Sequence, residues 1–180
     1  MPHVPEFDAA HWIAQNTNGG VHLSPEAQRA VAGFTTMWNF FESTLCDNRA
    51  SIAAFERAVE RYEPTDASAE TLEACLAFWR RRYLSKDGFS ARLSGLNFRG
   101  NDREDDVRRV LTGETNGGKP ELLAILIIVY RLRNNLFHGL KTLEMLNDQV
   151  ENLWNASRCL GAMMEAISSS SPLMRRQREV

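Results

Sequence analysis

Apolar side chains recur along this chain at spacings of three and four, the period of an amphipathic helix. No segment shows the spacing of two that marks a half-buried strand. The first run opens at Ser24-Pro25-Glu26. A serine hydroxyl can cap the free backbone N–H groups, proline already holds a helical φ, and an acid suits the positive end of a helix. Val31, Phe34, Trp38, Phe41 and Leu45 follow on one face. Asp47 is placed to cap a second helix, with Ile52, Phe55, Val59 and Tyr62 inward and Pro64 as its stop. A third starts at Asp66 or Ser68 and turns Leu72, Cys75, Leu76, Trp79 and Tyr83 toward the core.

Residues 85–101 carry Gly88, Gly95 and Gly100 among scattered Phe and Leu, which reads as a loop with room for one helical turn. Asn101 or Asp102 is the expected cap of a short helix to about Thr112, whose first turn holds Glu104, Asp105 and Asp106. After a loop from Thr112 to Lys119, Pro120 begins the most apolar helix, which runs to Phe137 or His138 and stops at Gly139. A last helix carries Leu143, Leu146, Val150, Leu153, Leu160, Met164 and Ile167 in a near-heptad stripe. The predicted fold is all-α, an up-and-down bundle of four to six helices. Residues 24–167 form its single domain, after an irregular arm at 1–23 and before a flexible polar tail at 168–180.

The 180 residues suffice for one domain with its own core. A composition of 43 % hydrophobic and 24 % charged excludes a disordered or membrane-embedded class. The longest apolar run, Leu122 to Tyr130, is far short of the ~20 residues a spanning helix needs. Met1 to Asp8 shows no basic stretch followed by an apolar one, so no signal peptide is expected. Asn155-Ala-Ser157 matches a glycosylation sequon but sits within a helical pattern. Cys46, Cys75 and Cys159 lack the spacing of a metal or redox pair and fall at apolar helical positions, where a free thiol packs as a small hydrophobe. A reducing, cytoplasmic setting without a membrane is the expectation.

Charge changes the picture more. Twenty-one basic and 23 acidic residues give a net of −2, which excludes a basic coat for indiscriminate nucleic-acid binding. That total conceals two blocks. Residues 42–78 hold eight acids and three bases, a net of −5, while residues 80–109 hold nine bases and five acids, a net of +4. These are either two solvated faces or, in the basic block, a phosphate landing strip from Arg80-Arg81-Arg82 through Arg108-Arg109. Gly113-Glu-Thr-Asn-Gly-Gly118-Lys119 matches the first seven positions of a phosphate loop, but Pro120 replaces the hydroxyl residue that would hold magnesium. It reads as a helix–helix loop.

The informative segment is Tyr130-Arg-Leu-Arg133-Asn134-Asn-Leu-Phe-His138-Gly139. At about 100° per residue, Leu126, Val129, Leu136 and Phe137 lie within about 60° of Arg133. Arg133 is therefore expected within an apolar stripe, where a guanidinium needs a carboxylate, a subunit interface or a ligand anion. Asn134 and His138 share a face, with Arg131 close by. A purely structural reading is also open: Arg and His complement the negative end of a helix and Gly stops it. That reading expects Arg133 to pair with an acid such as Glu42 or Glu73. No metal is expected, because His138 has no second ligand at coordinating distance along the chain. His3, His11 and His22 fall in the arm.

Arg133, Asn134 and His138, with Phe-His-Gly at the end, resemble the RxxxxH signature of the HEPN superfamily of small all-helical domains. Many such domains are metal-independent endoribonucleases or toxins, and others are inactive RNA- or protein-binding modules. The resemblance implies catalytic roles for Arg133, Asn134 and His138. It implies no cofactor, a symmetric homodimer through the Arg133–His138 helix, RNA as substrate, and a toxin or defence setting in which an antitoxin or other protein partner would fit. Leu140 stands where one subset of the family has Tyr, so that subset's specialised partner is not implied. The residue types suit the chemistry independently. Imidazole can serve as base or acid near neutral pH, and guanidinium forks onto phosphate oxygens. Arg131 and Arg80, Arg81 and Arg82 are the further candidates for contact with RNA. The alternative is a non-catalytic HEPN-like module that binds RNA or protein.

Overall fold

A computed structural model describes residues 6–16, 22–137 and 143–168. His3, His138, the expected stop at Gly139 and the tail from residue 169 onward lie outside these residues. The described chain is predominantly helical, as its periodicity predicts.

The arm is not wholly irregular. Asp8 accepts a hydrogen bond from the backbone of His11 at 2.9 Å and starts α1 (Ala9–Asn16), which buries none of its side chains. α2 (Pro25–Leu45) begins as expected, with the Ser24 hydroxyl accepting from the Ala27 N–H at 3.0 Å. The cap of α3 (Ile52–Glu60) is Ser51 rather than Asp47, which takes a positive φ of 50° beside Asn48 at 57°. These two left-handed residues turn the chain out of α2, and the next hydroxyl caps the new helix. α4 (Asp66–Tyr83) is capped by Thr65, with Ser68 completing a reciprocal capping box.

A minimal hairpin follows, β1 (Leu84–Ser85) against β2 (Gly88–Phe89), with Leu84 opposite Phe89 and Ser85 opposite Gly88. Strands of two residues leave no alternation to read. The hairpin folds the chain back so that the turn α5 (Ala91–Ser94) lies beside the end of α4, where Ser90 N–H donates to Tyr83 O at 2.8 Å. α6 (Glu104–Thr112) starts after Arg103, whose φ is 55°; Asp102 does not cap it but is withdrawn into the interior. Gly113, at φ 83°, ends α6 in the left-handed region that favours glycine.

α7 (Gly118–Phe137) is the central helix, with Leu122 and residues 124–129 all buried. The expected single last helix is broken. α8 (Leu143–Asn147) precedes α9 (Val150–Ser168), and Asn147 at the end of α8 accepts from Ser24 N–H at 2.9 Å and donates to His22 O at 3.0 Å. The anchoring at Ser24, and the packing of Gly161 opposite Met37, make α9 run with α2. It runs against α4, because Asn155 meets Cys75 while Asn152 lies near Tyr83. Trp38, Phe41, Phe55 and Tyr130 form a chain of ring contacts at the heart of the core. Among the described residues no helix is long and apolar enough to cross a membrane.

Candidate functional site

The C-terminal third of α7 presents two faces. Arg131 and Asn135, one turn apart, point inward and hold the loop after α5. Arg131 is 1 % exposed; its Nε donates to Leu96 O at 3.1 Å and its Nη2 to Asn97 O. Asn135 donates to Gly95 O at 3.0 Å and Leu96 O at 3.1 Å. Asp102, 6 % exposed, sits 3.1 Å from Arg131 Nη1, in ion-pair range although not aligned as a hydrogen bond. The same carboxylate accepts from Arg99 N–H at 2.6 Å. Burial pulls the Arg131 guanidinium below the usual arginine range, and the Asp102 charge offsets part of that pull. The fully buried, carboxylate-paired arginine is thus Arg131, where the stripe had pointed to Arg133. The reason lies in α7 itself. A helix apolar on nearly all sides has no single stripe, and Arg131 aligns with buried Ala124, Ile127 and Ile128 as well as Arg133 does with its own set. Arg131, offered from sequence as a further phosphate contact, is enclosed within the fold.

Arg133, about 200° round the helix from Arg131, is half-buried. Its guanidinium carbon lies 5.7 Å from the Trp38 ring centre and 5.1 Å from that of Phe137. Nη1 donates to Asn134 Oδ1 at 3.2 Å, while the buried Nε has no hydrogen-bond partner among the described residues. No carboxylate pairs with Arg133 among the described residues. Glu42 accepts from Trp38 Nε1 at 2.8 Å and from Ala50 N–H at 3.1 Å, and Glu73 is exposed on α4. Asn134 is 3 % exposed, so its carboxamide is fixed in place beside Arg133. Phe137 is half-exposed at the helix end. The site is a half-buried cation cradled by two aromatic rings and an amide.

The three consecutive arginines of α4 diverge, as successive helical residues must at about 100° apart. Arg80 turns to α6 and α7, donating to Val110 O at 3.0 Å and Glu121 Oε1 at 3.2 Å. Arg81 is exposed over a cleft shared with Arg158 and Glu70. Arg82 lines a separate small cavity with Arg92. Downstream, Arg108 pairs with Glu104, and Arg109 with Asp106. The basic block therefore folds into several separate environments. Phe137, four residues on from Arg133, was legible from spacing as its neighbour; Trp38 as the second ring and Asp102 as the partner of Arg131 were not, because those contacts join different elements. His11 and His22 are exposed. Gly113 to Gly117 link α6 to α7, Gly118 and Lys119 already belong to the first turn of α7, and the element directly before the link is the helix α6.

Comparison with protein families, with curated proteins and with solved structures finds no match for this chain.

Proposed function

We propose that the protein is a HEPN-like, metal-independent endoribonuclease that acts as a symmetric dimer through the end of α7. The observation that carries this reading is Arg133: a half-buried guanidinium with an unbonded Nε and no carboxylate partner among the described residues. Such a group needs an anion, and its planar fork fits a phosphodiester. Asn134 orients it. His138, five residues on, is the proton-transfer group.

In the proposed reaction one His138 removes the proton from an RNA 2′-hydroxyl. The 2′-oxygen attacks the adjacent phosphorus, and the bond from phosphorus to the 5′-oxygen breaks. His138 of the second protomer supplies the proton that the departing 5′-oxygen takes up. The products are a 2′,3′-cyclic phosphate and a 5′-hydroxyl end, and Arg133 stabilises the extra negative charge between them. Purified protein is expected to cleave RNA in excess chelator. Arg133→Ala and His138→Ala are each expected to lose at least ~100-fold in rate while keeping the helical circular dichroism of the wild type. Binding of RNA without turnover would instead identify a non-catalytic module, and variants that cleave like the wild type would rule out the assigned residues.

A further inference from the structure

Where α4, α5, α7 and the start of α9 meet, the fold encloses a cavity of about 90 Å³. Its wall includes Arg82 and Arg92, the hydroxyl-bearing Tyr83, the amides of Gln149 and Asn152, and apolar Leu132. Among the described residues no carboxylate lines it. Three larger clefts among the described residues each include acids, Glu56 and Glu60 in one, Glu104 in another and Glu70 in the third. Two arginines converging on a space without a counter-charge call for an anion.

Two further observations point the same way. Asn152 is 2 % exposed, and its Oδ1 has no hydrogen-bond partner although its Nδ2 donates to Gln149 Oε1 at 2.6 Å. Arg82 Nε is likewise buried and unpartnered. Buried polar atoms are ordinarily satisfied, and these two belong to residues that line the same cavity. The Asn152 carboxamide can accept from a protonated oxygen. Turned end for end together with Gln149, it keeps their mutual bond and offers an N–H instead. The cavity also borders the first turn of α9. There Leu153 N–H bonds back to Gln149 O at 2.9 Å, and the first N–H groups of a helix have no partner within it. Such an end favours negative charge.

We propose that this cavity is a binding site for a single tetrahedral phosphate group, gripped by Arg82 and Arg92 and seated on the Asn152 amide at the start of α9. Its size excludes a nucleoside, since pockets for drug-sized ligands run to about 300 Å³ or more. The phosphate is either a free anion or the terminal monoester of a longer molecule. The hairpin β1–β2 gains a role, because it returns the chain so that Arg92 comes beside Arg82. The site is separate from Arg133 and does not rest on RNA cleavage.

Calorimetric titration of the full chain with inorganic phosphate, in chloride buffer free of other oxyanions, tests the proposal. Saturable binding is expected, weakened about tenfold or more in Arg92→Ala, the scale of one charged hydrogen bond. Arg92→Lys should restore part of it. Arg92 is exposed, so these variants keep the fold; Asn152→Asp, which sets a negative charge in the cavity, should abolish binding. A 5′-phosphorylated dinucleotide and its 5′-hydroxyl counterpart separate the two sources. Preference for the phosphorylated form assigns the site to a chain end, and binding of inorganic phosphate alone assigns it to the free anion. No binding of any phosphate form, or binding that Arg92→Ala and Asn152→Asp leave unchanged, would overturn the proposal.

Discussion

A guanidinium taken out of water costs several kcal/mol unless its charge and donors are met. Arg131 meets that cost with Asp102 and two loop carbonyls, so it acts as a clamp between α7 and residues 95–102. Removing one partner of such a pair leaves the other buried and unpaired. Asp102→Ala is therefore expected to cost about 3–5 kcal/mol in urea unfolding. Arg133→Ala, which gives up ring contacts at a half-exposed site, should cost only about 0.5–2 kcal/mol. Equal losses would mean that Arg131 and Arg133 do not differ as described. A second residue-scale expectation concerns Cys46. Burial, with the charges of Glu42 and Asp47, pushes its thiol up to about 11. In the folded chain it should resist alkylation at about pH 8, where a free thiol near 8.5 would react, and react fully in denaturant. At this scale the sequence identified the core thiols correctly, since all three cysteines are buried. It could not rank the two arginines, because an all-round apolar helix gives both the same claim to the interior.

Helices here are set by their caps. Ser51 and Thr65 each accept from the backbone N–H three residues on, at 3.2 Å in both cases. Ser51→Ala should lower stability by about 1 kcal/mol. Asp47→Gly should not, because Asp47 caps nothing and already occupies the left-handed region at φ 50°. The start of α6 adds a pH dependence. Burial alone would raise the Asp106 carboxyl, but hydrogen bonds from Arg109 and Arg103, with their charges, outweigh it and hold the group below its usual value. A depressed carboxylate stabilises the fold above its unfolded value near 3.9, and the contribution is lost as pH falls through the lower folded value. Asp106→Asn should therefore lower neutral stability by about 0.2–1 kcal/mol, the scale of exposed pairs. It should also flatten the loss of stability below about pH 4 in urea titrations. Helix positions were legible because apolar spacing survives in every long element. Boundaries at Asp47, Asp102 and Asn147 were not, because a left-handed turn, a buried ion pair and a long-range amide contact decided them.

For the molecule as a whole, the small net charge of −2 is compatible with a narrow phosphate site because the charges are dispersed by the fold. The basic block does not form one strip: Arg80 serves packing, Arg81 faces a mixed cleft, Arg82 enters a cavity, and Arg108 and Arg109 pair with neighbouring acids. Any action on RNA must then come from a localised site, and the half-exposed Arg133–Phe137 edge of α7 is the proposed one. A composite site also requires two chains. Sedimentation should give a species of twice 20.4 kDa at working concentrations.

The most direct measurement is the chemistry of the RNA ends formed in excess chelator. The wild type is expected to form 2′,3′-cyclic phosphate and 5′-hydroxyl termini, which are absent with Arg133→Ala and with RNA carrying a 2′-deoxy residue at the cleaved position. Products ending in a 3′-hydroxyl, or the same yield of products from Arg133→Ala, would contradict this mechanism.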